Sequence, residues 1–179
     1  MSDGTILLLL GTVGLGAIVY FVFATFLFGA GYQPAPRAVV TSMLDLGAVG
    51  PTDVVFDLGA GTGAIVFRAA RERGARVLGV EVEPLRVLLL RIRRRMGPAA
   101  ERIEIRWGNL YDLPMGKATV VMAFLWPEAM RRLRPIFERQ LAGGVRVVTH
   151  WHPVPGWTPE HVDSEHRVYF YRTPARTEA

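Results

Sequence analysis

The 179-residue chain contains no cysteine, and this absence excludes disulfide bonds, thiolate-bound metals and cysteine nucleophiles. Histidine is scarce, with four residues in the chain, and two of them, His150 and His152, follow a predicted strand. No carboxylate stands beside this pair to complete a ligand set, so we predict no metal site. The sequence also shows no internal repeat and no low-complexity segment.

Lysine is nearly absent as well, because Lys117 is the only lysine among 21 basic residues. Against 16 acidic residues, the arginines give a formal net charge of +5. Five of them cluster on one predicted helix: Arg86, Arg91, Arg93, Arg94 and Arg95. Such a cluster is typical of a solvated helix face, and contact with anionic lipid is the functional alternative. Nucleic-acid binding is not expected, because no basic groove lined with aromatic side chains is visible.

Charge is missing from residues 6–28, which consist mostly of leucine, isoleucine, valine and phenylalanine. A helix of that length, at about 1.5 Å per residue, crosses a hydrocarbon core of about 30 Å. A cleaved signal peptide would begin with basic residues, whereas this chain begins Met-Ser-Asp-Gly. We therefore predict a retained transmembrane anchor within residues 1–30 and one globular domain over residues 31–179.

The distribution of basic residues predicts the orientation of this anchor. No lysine or arginine precedes Arg37, and many follow it. Because cytoplasmic flanks of membrane spans are enriched in basic residues, we expect a single-pass protein whose domain lies on the cytoplasmic side. About four residues connect the apolar segment to Tyr32, and four residues extend roughly 15 Å at most. The domain is therefore expected to lie close to the bilayer.

Glycines at alternate positions follow the apolar run at residues 54–56 and precede a predicted helix. The motif reads Asp57-Leu58-Gly59-Ala60-Gly61-Thr62-Gly63. Glycines let the backbone approach a ligand, and a helix N-terminus offers unpaired N–H groups. Glu81 ends the next predicted strand, where a carboxylate is placed to accept hydrogen bonds from ribose hydroxyls. Together these features indicate a nucleotide-cofactor site.

Two kinds of cofactor are compatible with this motif. The segment satisfies the dinucleotide pattern G-x-G-x-x-G/A, but an oxidoreductase would need a second substrate domain, and none is identifiable. The fuller pattern, with an acid two residues before the first glycine, is D-x-G-x-G-x-G. That pattern resembles the first motif of the S-adenosylmethionine-dependent methyltransferases.

The predicted elements alternate between strands and helices along the domain. Strands are predicted at residues 54–58, 76–80, 103–107, 119–124, 145–149 and 168–171, and helices at 37–46, 64–70, 84–96 and 127–141. This order predicts an α/β fold with a doubly wound, mostly parallel Rossmann-like sheet that binds ligands at the carboxyl ends of its strands. No long helix fits between His150 and Val168, so the last portion is expected to be abbreviated.

The order of motifs over residues 32–159 resembles the small seven-strand protein-lysine methyltransferases. These include archaeal lysine methyltransferases and the mitochondrial enzymes that act on the adenine nucleotide translocase and the ATP synthase c-subunit, which are also anchored by an N-terminal hydrophobic segment. The matching segments besides the glycine motif include Tyr32-Gln33-Pro34-Ala35-Pro36, Gly79-Val80-Glu81-Val82-Glu83-Pro84, Asn109-Leu110-Tyr111, Phe124-Leu125-Trp126-Pro127, Arg146-Val147-Val148-Thr149-His150 and Pro155-Gly156-Trp157. The family often has aspartate where this chain has Asn109.

The resemblance implies a cofactor, S-adenosylmethionine, and a role for each matching residue. The implied cofactor-binding residues are Asp57, Gly59, Gly61, Gly63, Glu81, Asn109, Leu110 and Phe124. Asn109 and Leu110 would flank the adenine, and the amide oxygen of Asn109 can accept a hydrogen bond from the adenine amino group. Tyr32 and Trp126 are predicted to act in catalysis as an aromatic slot that desolvates and aligns a lysine amine. Glu128 is a candidate proton acceptor, although an acid at a helix start is also explained by the helix dipole.

The predicted function is therefore a membrane-anchored S-adenosylmethionine-dependent methyltransferase that acts on lysine of a membrane protein. A lipid or small-molecule methyltransferase of the same fold is the alternative within the enzymes. A membrane-tethered cofactor-binding module without catalysis is the alternative outside them. The sequence gives no prediction of the oligomeric state.

Overall fold

The computed structural model describes residues 2–27 and 33–174 of the chain. It divides the chain into two compact units, the first of which contains helix α1, Asp3–Leu27. The second unit begins at Gln33. The predicted domain boundary after residue 30 lies outside the described residues.

Helix α1 is 25 residues long, and its only acidic residue in the first turn is Asp3. Within the described residues it is the one helix that is long and apolar enough to cross a membrane, and none of the 18-residue window Asp3–Tyr20 is buried. Length and composition are criteria that N-terminal signal sequences also meet. The structure thus provides a helix suited to the predicted anchor.

The second unit is built on a seven-stranded sheet with the order β3-β2-β1-β4-β5-β7-β6. The strands are β1 Val54–Leu58, β2 Arg76–Glu81, β3 Ile103–Trp107, β4 Val120–Ala123, β5 Arg146–His150, β6 His161–Asp163 and β7 Val168–Arg172. The first five strands pair in parallel, whereas β7 pairs antiparallel with both β5 and β6. The prediction of a doubly wound, mostly parallel sheet is confirmed.

Within the described residues of the domain, four helices flank the sheet, and their ends follow from local sequence. They are α2 Arg37–Leu46, α3 Ala64–Arg73, α4 Pro84–Met96 and α5 Pro127–Gln140. Proline occupies the first turn of α4 and α5, where its missing N–H leaves no hydrogen bond unmade. Helix α3 ends at Gly74, whose φ of 69° is the left-handed conformation that terminates many helices.

Alternate residues of the central strands face two separate apolar cores. Val55 and Val120 pack with α2, α3 and α4, whereas Phe56 and Val121 pack with α5 on the opposite face. Strands that are buried on both faces consist of nearly continuous apolar runs, which is why these strands are recognisable in the sequence. Helices therefore cover both faces of the sheet, and a ligand site is expected at the carboxyl ends of its parallel strands.

One strand was not predicted from the sequence. Strand β6 contains only three residues, two of them exposed, and it pairs at the sheet edge with β7. No apolar run marks such a strand. The fourth strand is also shorter than predicted, with residues 120–123 in place of 119–124, and no helix lies between β5 and β7.

Candidate cofactor and acceptor site

The carboxyl ends of four neighbouring parallel strands meet at one edge of the sheet. Leu58 at the end of β1 pairs with Val80 of β2 on one side and with Ala123 of β4 on the other. Ala123 in turn pairs with Thr149 of β5. The segments that follow these strands therefore lie side by side, as ligand-binding segments do in doubly wound folds.

The glycine motif forms a tight turn between β1 and α3. Gly59, Gly61 and Gly63 have φ values of 79°, 56° and 88°, which residues with a side chain rarely adopt. A side chain at Gly63 would also place its Cβ 2.5 Å from the ring of Phe67. The backbone N–H groups of Gly59 and Ala60 donate to the carbonyl oxygen of Val80 over 3.0 and 2.8 Å. The glycines are thus required by the shape of the turn, and the turn is fixed to β2.

Glu81 is buried directly against this turn. Its Oε2 accepts a hydrogen bond from the backbone N–H of Gly61 over 2.8 Å. Its Oε1 accepts from the N–H groups of Val82 and Glu83, each over 3.0 Å. The guanidinium of Arg86 lies 3.8 Å from the same oxygen. Because a carboxylate offers about four acceptor positions, one position on Oε2 is left for a ligand hydroxyl.

Asp57 lies at the end of β1 and is also buried. Burial raises the pKa of its carboxyl from 3.8 to about 7, and the negative charge of Glu81 acts in the same direction. A backbone hydrogen bond from Val66, in the first turn of α3, opposes these effects. Near neutral pH this carboxyl is therefore present in both its protonated and its charged form, and a cationic ligand group would favour the charged form.

The predicted adenine-binding residues follow β3. The N–H of Gly108 donates to the carbonyl of Glu81 over 3.0 Å, which brings this segment beside the end of β2. Asn109 is exposed, and its side-chain oxygen accepts a hydrogen bond from the N–H of Tyr111 over 3.1 Å. Leu110 is half-buried and begins the short 3-10 turn Leu110–Asp112. Asn109 thus shapes its own turn with the oxygen that was predicted to contact adenine, and one lone pair of that oxygen remains.

Aromatic residues from two adjacent strand ends pair with each other. Phe124 lies 4.4 Å from His150, edge to face, and Trp126 lies 5.9 Å from His152, measured between ring centroids. We call these four residues the aromatic cluster. Trp126 is 49 % exposed, whereas His150 is buried. The cluster follows β4 and β5, next to the glycine turn that follows β1.

The two histidines are members of the site that the sequence did not assign. Burial lowers the pKa of both imidazoles, so each is neutral at pH 7. Nδ1 of His150 is buried and has no hydrogen-bond partner in the described part of the chain. Their position one residue apart at a strand end was the available signal. The described residues contain no group of three potential ligands for a metal ion.

Two further predicted residues are Tyr32 and Glu128. Tyr32 lies outside the described residues. The carboxylate of Glu128 forms an exposed ion pair with Arg131 on the same helix, which accounts for it without a catalytic role. The structure brings together Asp57, the three glycines and Glu81 as one group, with Phe124 and Trp126 beside it.

The sequence that forms this edge of the sheet matches known proteins. The family model of the ANTKMT methyltransferase domain matches residues 57–161. A protein-lysine N-methyltransferase from Saccharolobus islandicus is 33% identical over 147 residues, which cover 78% of this chain and 91% of that protein. The Xenopus laevis lysine N-methyltransferase of the ATP synthase c-subunit is 28% identical over 134 residues, which cover 75% of this chain and 58% of that protein. This chain therefore spans little more than half of the length of the vertebrate relative.

Solved structures share the fold. A structure described as an RNA methyltransferase from Salinibacter ruber, in complex with S-adenosylhomocysteine, superposes with a TM-score of 0.78 at 40% identity. The match covers 82% of this chain and 97% of that one. A geranyl diphosphate methyltransferase in complex with S-adenosylmethionine superposes with a TM-score of 0.57 at 26% identity, over 68% of this chain and 52% of that one. Both relatives bind the cofactor that the glycine motif predicts, or its demethylated product.

Proposed function

Since this chain belongs to the family of the ANTKMT methyltransferase domain and is an S-adenosylmethionine-dependent methyltransferase, we propose that it methylates lysine of a membrane protein while α1 anchors it in the bilayer. The observation that carries the proposal is the presence, in one short chain, of this domain and of a long apolar helix. Relatives with sequence identity to this domain are named for lysine methylation of the ATP synthase c-subunit and of the adenine nucleotide translocase.

The residues at the carboxyl edge fit the cofactor. S-Adenosylmethionine supplies an electrophilic methyl group. Asp57 offers a buried carboxyl whose charged form would pair with the cationic methionine end. The glycine turn has no side chains at Gly59, Gly61 and Gly63 that would obstruct the cofactor, and Glu81 retains an acceptor position for a ribose hydroxyl. The cofactor contacts assigned to Asp57, Glu81, Asn109 and Leu110 are part of the proposal.

The aromatic cluster is proposed to receive the acceptor lysine. A lysine amine is a nucleophile only without its proton, and its ordinary pKa is near 10.4. Burial between aromatic rings disfavours the ammonium form and lowers that pKa. Trp126 at the exposed rim and Phe124 deeper in would provide such a surface, with Tyr32 as the third predicted wall. The neutral imidazole of His150 packs against Phe124 behind this surface.

The membrane part of the proposal rests on charge and on chain length. Because no basic residue precedes Arg37, the domain is assigned to the cytoplasmic side. Protease added outside intact cells should leave the domain whole, and the mature chain should retain its N-terminal helix. A mature N-terminus after residue 30 would contradict the anchor.

The short connection between α1 and the domain makes a second, independent test possible. Only a few residues separate Leu27 from Gln33, and Pro34 and Pro36 stiffen the start of the domain. A long Gly/Ser insertion after residue 30 should lower methyl transfer to a membrane-embedded acceptor, because it dilutes the active site near the bilayer. Activity toward a soluble lysine peptide should not change. Equal activity of both chains toward the membrane acceptor would contradict the proposal.

The decisive assay for the acceptor class uses purified full-length chain, membranes and cofactor labelled in its methyl group. We expect label in integral membrane protein, resistant to nuclease and to lipid extraction, and recovered as methyl-lysine after hydrolysis. RNA must be included as an acceptor, because the Salinibacter ruber structure is described as an RNA methyltransferase. Label that is lost with nuclease would favour RNA, and label in the organic phase would favour lipid. Either result would overturn lysine of a membrane protein as the acceptor.

A further inference from the structure

Helix α4 exposes an apolar stripe that no described residue of the domain covers. Its residues with their exposed fractions are Leu85 (45%), Leu88 (55%), Leu89 (39%), Ile92 (44%) and Met96 (82%). At about 100° per residue, these five side chains fall within an arc of about 100°. The buried residues of the helix, Arg86, Val87 and Leu90, lie on the other side and face the sheet. An ordinary surface helix would have polar residues where this stripe lies.

Arginines border the stripe on both sides. Arg91 and Arg95 lie along one border and Arg93 along the other, and all three are exposed. Arg93 donates to the carbonyl of Thr62 in the glycine turn and stacks on Phe67, with 4.6 Å from its guanidinium carbon to the ring centroid. Among the described residues, the guanidinium groups of Arg91 and Arg95 form no hydrogen bond and no ion pair. Their charges are available for an anionic partner.

Trp107 extends this surface at the start of the helix. Its side chain is 62% exposed, and its indole N–H donates to the carbonyl of Val82 over 3.0 Å, two residues before Pro84. The tryptophan therefore stands beside the N-terminal end of the stripe. Tryptophan is enriched where proteins meet the headgroup region of a bilayer, because its ring is apolar and its N–H is polar.

We propose that this face of α4, together with Trp107, docks on the anionic surface of a lipid bilayer. Aliphatic residues flanked by arginines match acyl chains flanked by phosphates, which is the pattern of helices that lie in the membrane interface. Single-stranded RNA would instead need aromatic platforms for its bases, and the stripe itself is aliphatic. The inference rests on the proposed membrane location and adds a second membrane contact in addition to the anchor α1.

The docking would set the orientation of the active site. Helix α4 begins three residues after Glu81, so the stripe adjoins the carboxyl edge of the sheet. With α4 on the lipid, the glycine turn that Arg93 contacts would also be held near the headgroups. An acceptor lysine at the membrane boundary would then be within reach of the aromatic cluster without a search through solution.

The absence of cysteine permits a direct test on the full chain. Leu89→Cys places one thiol in the stripe. Lys117→Cys places a matched, exposed thiol just before β4, at the amino ends of the parallel strands and so opposite the carboxyl edge. Each variant is labelled with a fluorophore and reconstituted through α1 into vesicles that contain phosphatidylglycerol and doxyl-labelled lipid. We expect doxyl lipid to quench the label at residue 89 and iodide to quench it several-fold less than the label at residue 117. Leu88→Gln with Ile92→Gln, both at exposed positions, should abolish the difference.

Three outcomes overturn the docking. The first is equal access of iodide to both labels. The second is protection that depends on protein concentration in detergent without lipid, because that would indicate a second copy of the chain. The third is protection by added RNA in place of lipid. Flotation of the protein with vesicles reports the anchor, and methyl transfer to membrane protein reports the proposed function, so failure of either is distinguished from failure of the docking.

Discussion

The backbone N–H of Gly61 donates to Oε2 of Glu81 over 2.8 Å, across twenty residues of sequence. This bond joins the middle of the glycine turn to the acid that ends the neighbouring strand. The ribose of the cofactor and its amino-acid end would therefore be bound by two segments that are hydrogen-bonded to each other. A change in either residue should affect the whole cofactor site.

Replacement of Glu81 by alanine should weaken the binding of S-adenosylhomocysteine. The variant removes a charged acceptor, and hydrogen bonds to charged groups contribute about 1.5–3 kcal/mol each. Titration calorimetry measures the loss. Glu83→Ala is the matched control, because Glu83 is equally buried but caps α4 through the N–H groups of Leu85 and Arg86. Glu83→Ala should lower the free energy of unfolding by about 0.5–2 kcal/mol and should have little effect on the affinity for S-adenosylhomocysteine. Unchanged affinity in Glu81→Ala would refute the ribose contact.

Valine at Gly61 should abolish cofactor binding, because its side chain would occupy space proposed for the cofactor in addition to straining the backbone. Gly61 and Gly144 both have positive φ, 56° and 81°, so Gly61→Val and Gly144→Val both place a β-branched residue in a left-handed conformation. Each should destabilise the fold by about 1–3 kcal/mol. A Cβ at Gly144 meets no atom within 4 Å, and that glycine is far in sequence from the motif. Loss of binding in both variants to the same extent would show that strain alone is responsible.

The protonation of Asp57 should make the stability of the unliganded domain depend on pH. Its pKa is raised to about 7 in the folded chain and is near 3.9 in an unfolded one. The protonated form is therefore favoured by folding, and this contribution is fully present below about pH 4 and is lost as pH rises to about 7. Melting curves of the parent and of Asp57→Asn should diverge over this window, with the parent losing stability relative to the variant. Parallel pH profiles of the two chains would contradict the raised pKa.

Cofactor binding should in turn release a proton from Asp57. A cationic methionine end favours the carboxylate, so affinity for S-adenosylhomocysteine should rise between about pH 6 and pH 8. Calorimetry in buffers with different ionisation enthalpies counts the protons released. The release should disappear in Asp57→Asn, and its persistence there would assign the proton to another group.

Trp126 should affect the acceptor and leave the cofactor unaffected. Trp126→Ala removes the exposed wall of the aromatic cluster, and misplacement of the reacting groups costs up to about 100-fold in rate. We expect methyl transfer to fall by about 10- to 100-fold, with unchanged affinity for S-adenosylhomocysteine. Trp126→Phe should restore most of the activity. An alanine variant with full activity would remove Trp126 from the acceptor site.

Much of this architecture is predictable from sequence because it follows from local patterns. Residues 37–46, 54–58, 84–96 and 103–107 have the predicted bounds, since glycine, proline and apolar periodicity mark their ends. Asp57 and Glu81 were placed by their positions at strand ends. The structure shows that backbone N–H groups already hold Glu81, a detail that depends on atoms rather than on spacing.

The parts that were missed depend on pairing between distant segments. Strand β6 is recognisable only from its hydrogen bonds to β7, because it is short and partly exposed. The pairing of Phe124 with His150 joins residues from different strands, and no spacing rule connects them. The apolar stripe of α4 is not recognisable from the sequence, because apolar residues occur both on the stripe and on the buried face of the helix, and only exposure separates the two.

The most direct test of the central claim is a comparison of lysine methylation in membranes of cells that contain either the parent chain or Gly61→Val. Membrane proteins are isolated, digested and measured by mass spectrometry, with methionine labelled in its methyl group as the methyl source. The account predicts methyl-lysine in an integral membrane protein, at a residue beside the hydrocarbon boundary, with the parent chain and not with the variant. Identical methyl-lysine profiles in the two membranes, with parent-dependent label in RNA or lipid, would contradict it.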